Sequence, residues 1–285
     1  MRSIKKNNEI SVEKSLVLQC IEQFEREGRF NEDVEQDLAA KELLPEQVDY
    51  LSKKFSTRLK TRVANAIADR YFTGKIKKGE MLIEKVEGGQ YLSALKQGAV
   101  ITCNHFSIFD HYIVFHCIRK YLPKKYLYKV IKEGNYTSFS GLFGFFMRHC
   151  NTLPLSSNRR TMMNFTSAVN TLLKRGETVL VYPEQSMWRN YKKPRPFKVG
   201  AFKMAYRAGV PVLPVFITME NDETRVDEVG APLQKHTVHI LPPVYPDESL
   251  GVKEGANKMM EEAFALVKAK YEEVYGKPLT YGEES

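Results

Sequence analysis

The sequence predicts an α/β fold, with a mixed, largely parallel sheet flanked by helices and an N-terminal helical extension. Three observations lead there. From about residue 80, short apolar runs alternate with longer amphipathic segments, the texture of strand and helix in turn. Runs such as AVITC and TVLVY are apolar almost throughout, as strands covered on both faces are. Before that point the apolar residues recur instead at helical spacing. At 285 residues the chain suits one large domain with an extension. The expected division is residues 1–75, a helical region packing on the core, and residues 76–285, the α/β domain.

Taken in order, residues 12–72 read as helical. In EQVDYLSKKFSTRLKTRVANAIADRYF, Val48, Leu51, Phe55, Leu59, Val63, Ile67 and Tyr71 fall close to one helical face. Pro45 suits the first turn of that helix. The stripe is read as core-facing, while the Lys and Arg beside it keep a membrane-surface reading open. MLIEKV, AVITC, YLYKVI, TLPL, TVLVY, VPVLPVFI and TVHILPPV are candidate strands. Candidate helices lie near 109–121, 139–149, 159–175, 198–208 and 253–275. Small residues Gly200, Ala201, Ala205 and Ala208 would let the fourth of these pack closely on the sheet.

Composition bounds the partners. Hydrophobic residues make up 43% and charged residues 27%, with a formal net charge of +9. That favours anionic partners: acidic lipid, phosphorylated substrate or nucleic acid. The four cysteines are widely spaced with no CxxC, so a reduced compartment is expected rather than a disulfide framework. No apolar segment follows the basic start in the manner of a signal peptide, and no run reaches the ~20 apolar residues of a span. A cytoplasmic protein, peripheral on the inner face of a membrane, is the expectation.

Two strand ends carry the candidate chemistry. AVITC runs into Asn104 and His105, and Asp110 falls at the start of the following helix after a short turn containing Ser107. A loop of that length lets the carboxylate hold one imidazole nitrogen while the other faces a cleft, the arrangement of a general base. The same residues also read as a strand-end histidine and a helix cap, and on spacing alone both readings stand. His105, His111 and His116 are separated by six and five residues, which does not stack ligands on one helical face, so no metal is expected. The second strand, TVLVY, ends in Pro183, Glu184, Gln185 and Ser186. Arg189, Lys192, Lys193, Arg195 and Lys198 follow with Trp188, Tyr191 and Phe197 and no acidic residue. Cations with aromatics suit a phosphate or an anionic membrane surface.

Together these clusters resemble the lysophospholipid acyltransferase family, over roughly residues 80–245. Asn104, His105 and Asp110 match its NHxxxxD motif. VYPEQSMW matches its PEGTRS motif at Pro183 and Glu184 only, and KVGAFKMAYRAGVPVLPVF fits its fourth motif. The resemblance implies a glycerolphosphate acyltransferase-like fold and acyl transfer from acyl-CoA or acyl carrier protein to a lysophospholipid, most simply 1-acylglycerol-3-phosphate. It implies His105 as base, Asp110 as its orienter, and no metal or bound cofactor. Glu184 would help hold the acceptor. Gln185, Ser186 and Met187 replace the family's Gly-Thr-Arg, so Arg189 is the nearest candidate phosphate contact, with Lys198 another. Ser156 stands where the second motif ends in arginine, and Arg159 and Arg160 follow it. The acyl-transfer centre thus looks kept and the headgroup site altered, which leaves room for another lipid hydroxyl acceptor.

Other classes stay open. A non-catalytic lipid-binding protein would not need the His105–Asp110 pair, and hydrolysis would put water in place of the lipid hydroxyl. Nucleic acid fits the charge, but the cations lie in one loop with PRP rather than along a helix or an aromatic-bearing sheet, so none is expected. SGLFGFFMRH, residues 140–149, reads either as a buried helix or as a membrane or acyl-chain contact.

Overall fold

A computed structural model describes residues 16–35, 39–122, 126–226 and 232–282. Seven strands form one sheet: β1 (Leu82–Glu87), β2 (Ala99–Thr102), β3 (Tyr128–Ile131), β4 (Thr152–Pro154), β5 (Thr178–Val181), β6 (Val212–Val226) and β7 (Pro232–Ile240). Their order is β1-β7-β6-β2-β5-β3-β4. Every neighbouring pair is parallel except the β6–β7 hairpin. β2 and β5 are buried at every residue, because helices cover both faces of the sheet centre.

The strand pleat sorts the core into two layers. Ile101, Leu180 and Leu213 point to one face and pack with Ile113, Val114 and Ile118 of α3 (Asp110–Ile118). Val100, Val179, Val181 and Val212 point to the other and pack with Phe165, Val169, Phe202, Ala205, Met259 and Ala263. These belong to α6 (Arg159–Lys174), α7 (Gly200–Ala208) and α8 (Val252–Tyr275). Alternation at period two is what sends neighbours to opposite layers. α4 (Glu133–Thr137) and α5 (Gly141–His149) link β3 to β4. The seven candidate strands and five candidate helices all have counterparts, and β6 runs well past the apolar stretch that announced it.

The N-terminal region departs from expectation. The described part has a helix at 16–26, α1, and a second, α2 (Phe55–Lys77), with non-helical chain at 27–35 and 39–54 apart from a 3₁₀ turn at Pro45–Gln47. Residues 12–15, part of the expected helix, lie outside the described residues. Asp49 ends the attempt at helix: its carboxylate accepts the amides of Lys53 and Lys54 at 2.9 Å each, and Ser52 turns left-handed at φ 50°. The segment is fixed by side chains instead, with Leu43 and Tyr50 buried and Tyr50 Oη donating to Pro154 O at 2.8 Å.

The stripe on α2 also faces the other way. Phe55, Leu59, Val63, Ile67 and Tyr71 are 41–74% exposed. The row one residue further on, Ala64, Ala68, Phe72 and Ile76, packs on the core. The two rows lie side by side on the helix, and the inward one meets the start of α3, where Phe72 packs against Phe109, His111 and Tyr112. Of the small residues expected to line α7, Ala201, Ala205 and Ala208 are buried while Gly200 is exposed.

Close helix contact appears instead where α8 meets α7. A Cβ on Gly255 would lie 2.0 Å from Tyr206 Cε2, and the Tyr206 hydroxyl is anchored on the carbonyls of Asp247 and Leu250. Gly255→Ala is therefore expected to destabilise the chain by about 1–3 kcal/mol, the usual cost of overpacking. Denaturant unfolding followed by circular dichroism reads this directly. An unchanged midpoint would mean that the Tyr206 ring yields freely.

Candidate active site at the carboxyl ends of β2 and β5

The end of β2 is clamped before the chemistry begins. Asn104 Nδ2 donates to Ile217 O at 3.0 Å, and Ile217 N donates to Asn104 Oδ1 at 2.9 Å. This two-way bond ties the strand end to β6 next door. His105 follows, half-buried, and its Nδ1 lies 2.7 Å from Asp110 Oδ2. Asp110 opens α3 and is buried. Its Oδ2 also accepts the amides of Phe106 and Ser107 at 3.2 Å. The five-residue spacing therefore closes the turn and orients the imidazole with one carboxylate, so the cap reading and the base reading describe the same group.

Burial alone would raise the Asp110 carboxyl. The adjacent His105, with hydrogen bonds from His105 and Tyr182, outweighs it and holds the pKa below the ordinary value. The helix N-terminus favours the same negative charge. An ionised carboxylate only accepts, which assigns a proton to Nδ1, so that in the neutral ring the lone pair is on Nε2. Tyr182, directly past β5, completes the arrangement. Its ring stacks on His105 at 3.9 Å between centroids and 14° between planes, and its hydroxyl donates to Asp110 Oδ1 at 2.5 Å. Burial, then the Asp110 charge, pushes the Tyr182 pKa well above its ordinary value, which keeps that hydroxyl a donor. A neutral imidazole so held has the form of a general base.

Glu184 is buried beside this group. Its Oε1 accepts Arg195 N at 3.0 Å, and its Oε2 accepts Arg195 Nη2 at 2.8 Å and His105 N at 3.2 Å. Arg195 is itself fully buried. Its Nη1 donates to Phe30 O at 3.0 Å and Ser186 Oγ at 2.5 Å, its Nη2 donates to Ser186 O, and its guanidinium lies over the Trp188 ring. Gln185 sits left-handed at φ 68°, at the position that the family motif fills with glycine, the residue for which that conformation is unstrained.

The expected phosphate contacts are distributed differently. The guanidinium that reaches Glu184 is Arg195, not Arg189. Arg189 points to Glu35, with Nε 3.6 Å from Oε1. Arg159 and Arg160 are exposed in the first turn of α6, after edge strand β4. Among the described residues no hydrogen bond or ion pair ties them to His105 or Glu184. Lys198 donates its amide to Pro183 O at 2.9 Å, which places it beside the β5 end with its side chain half-exposed. The basic-aromatic loop is also less open than expected. Trp188 is fully buried, with Nε1 donating to Glu32 O at 3.0 Å. Sequence reasoning counted Arg195 only among the loop cations and missed its pairing with Glu184, and it missed Tyr182. The signal for the first was a buried strand-end carboxylate, which needs a hydrogen-bonded cation, near a guanidinium fixed between Pro194 and Pro196.

Comparison with known proteins agrees with the motifs. The acyltransferase family model matches residues 83–218. The 1-acyl-sn-glycerol-3-phosphate acyltransferase of Salmonella typhimurium is 31% identical over 124 residues, 43% of this chain and 49% of that protein. The Escherichia coli protein of the same name is 33% identical over 94 residues, 32% of this chain and 37% of that protein. The chain thus spans about half the length, or less, of the curated relatives it matches. The crystal structure of the 1-acyl-sn-glycerophosphate acyltransferase PlsC from Thermotoga maritima aligns with a TM-score of 0.54 at 20% identity. It covers 81% of this chain and 87% of that one, and shares the fold. With the NHxxxxD residues assembled at the end of β2, residues 83–218 are an acyltransferase domain of the lysophospholipid acyltransferase family.

Proposed function

We propose that the chain is an O-acyltransferase that moves a fatty acyl group from an acyl thioester to the hydroxyl of a glycerolipid. The thioester is carried by coenzyme A or acyl carrier protein. The observation that carries this reading is the 2.7 Å contact of His105 Nδ1 with a buried, ionised Asp110. His105 Nε2 takes the proton of the acceptor hydroxyl as its oxygen attacks the thioester carbonyl carbon. The tetrahedral intermediate collapses with cleavage of the C–S bond, and the sulfur leaves with the proton returned by the imidazolium. Asp110 holds the ring and balances its transient charge. Tyr182 fixes the ring plane, and Glu184 fixes the backbone under it. No metal or prosthetic group takes part.

The acceptor tried first is 1-acylglycerol-3-phosphate, the molecule in the names of the curated relatives. Ser156 and the Gln185–Met187 stretch support a second reading, transfer to another lipid hydroxyl, because neither supplies the arginine that the family motifs hold there. The assay is labelled acyl-CoA or acyl carrier protein thioester with that acceptor in anionic vesicles, products being separated by chromatography. His105→Ala is expected to lower turnover by about 10²–10⁴-fold, the range of general-base catalysis. Equal product from the variant would remove His105 from the mechanism.

Such substrates require contact with a bilayer, and no helix among the described residues is long and apolar enough to cross one. We assign the contact to the outward stripe of α2. The helix as a whole carries Arg58, Lys60, Arg62, Arg70, Lys75 and Lys77 against the one acid Asp69, and α5, packed beside it, exposes Leu142 and Phe143. Apolar insertion and cation attraction, about 1 kcal/mol per Lys or Arg near an anionic surface, act together there. Leu59→Asp with Ile67→Asp is expected to weaken binding to phosphatidylglycerol-containing vesicles by about tenfold or more. Unchanged sedimentation with vesicles would put the membrane face elsewhere.

A further inference from the structure

Four cations at the carboxyl end of the sheet are engaged by the chain itself. Arg195 is held by Glu184. Lys193 Nζ lies 2.5 Å from Glu25 Oε1, with both side chains nearly buried. Lys132, just past the end of β3, places Nζ 2.6 Å from Asp33 Oδ2, and Arg189 meets Glu35 at 3.6 Å. Glu25, Asp33 and Glu35 belong to one acidic segment ahead of residue 36. That segment is tied down over the loop after β5 by three contacts. Trp188 Nε1 donates to Glu32 O, Arg195 Nη1 donates to Phe30 O, and the Phe30 ring lies between Trp188 and Tyr281 at 5.9 and 4.5 Å. The loop is in turn bonded to the catalytic strand end, Trp188 N to His105 O at 3.0 Å and Asn190 N to Phe106 O at 3.1 Å. The acidic segment therefore sits at the same end of the sheet as His105.

A headgroup phosphate approaching this end meets carboxylates already seated on the cations it needs. The Lys132–Asp33 and Arg189–Glu35 pairs are more than a third exposed at all four side chains, and exposed pairs exchange partners at small cost. An uncharged headgroup has no stake in that exchange. We infer that Asp33 and Glu35 are acceptor-specificity residues, competing from within the chain with a phosphomonoester headgroup for Lys132 and Arg189. This rests on the acyl-transfer reading for its meaning, though its electrostatic core does not.

The test compares wild type with Asp33→Asn/Glu35→Gln, which keeps shape and removes charge. In turnover, KM for 1-acylglycerol-3-phosphate is expected to fall about tenfold, with kcat unchanged. KM for the matching monoacylglycerol, which lacks the phosphate, should stay within about twofold. Calorimetric binding of glycerol 3-phosphate, a soluble headgroup probe, runs in parallel and needs no turnover. The variant should bind it about tenfold more tightly, and adding Lys132→Met with Arg189→Met should remove that gain. Binding no tighter than wild type, or KM falling equally for both acceptors, would overturn the assignment. If neither protein acylates any acceptor while the variant binds glycerol 3-phosphate more tightly, the acyl-transfer reading fails and the competition stands.

Discussion

The ion pair between Glu184 and Arg195 is the constraint on which the site depends. Two charges removed from water are stable only if nearly every lone pair and proton is matched. Here the carboxylate serves three donors and the guanidinium four acceptor contacts. Those partners come from separate parts of the chain: the end of β2 at His105, the loop after β5 at Ser186, and the N-terminal segment at Phe30. A buried pair of this kind contributes little net stability over an apolar substitute. What it contributes is geometry, because its partners cannot move apart without leaving a charge unmatched.

His105 is fixed in three ways, of which the ion pair supplies the first. Glu184 holds its amide, Asp110 holds its ring nitrogen, and Tyr182 covers its ring face. Only Nε2 of this residue is left without such a partner among the described residues, and under the proposed mechanism a nitrogen already placed in this way is where proton transfer gains most. The opposing helices are built for the same end. β2 and β5 are buried on both faces, so the polar residues concentrate where these strands finish.

The sheet and most of its helices were legible because burial on both faces writes itself as unbroken Val, Ile and Leu. The His105–Asp110 pair was legible for a local reason, since its partners are five residues apart across one turn. Arg195 was not, because its tie to Glu184 spans a loop whose path is set by Phe30 and Trp188, contacts of 165 and 156 residues' separation. The α2 stripe faces outward, because periodicity marks a row of large apolar residues without saying which row meets the core. The row that does is the smaller one, Ala64 and Ala68 with Phe72. Arg159 and Arg160 follow the edge strand β4, and sequence proximity to the second motif said nothing of that distance across the sheet.

One buried carboxylate, Glu184, joins the end of β2 at His105 to the N-terminal segment through Arg195. Hydrogen exchange by NMR in Glu184→Gln tests it most directly, because an amide offers one acceptor oxygen where the carboxylate offers two. The account expects the His105 amide and the indole N–H of the single tryptophan, Trp188, to lose protection together. Ile217 N, bonded to Asn104, should keep its own, as a separately stabilised unit does. A His105 amide as protected as in wild type, with loosening confined to the loop after β5, would contradict it.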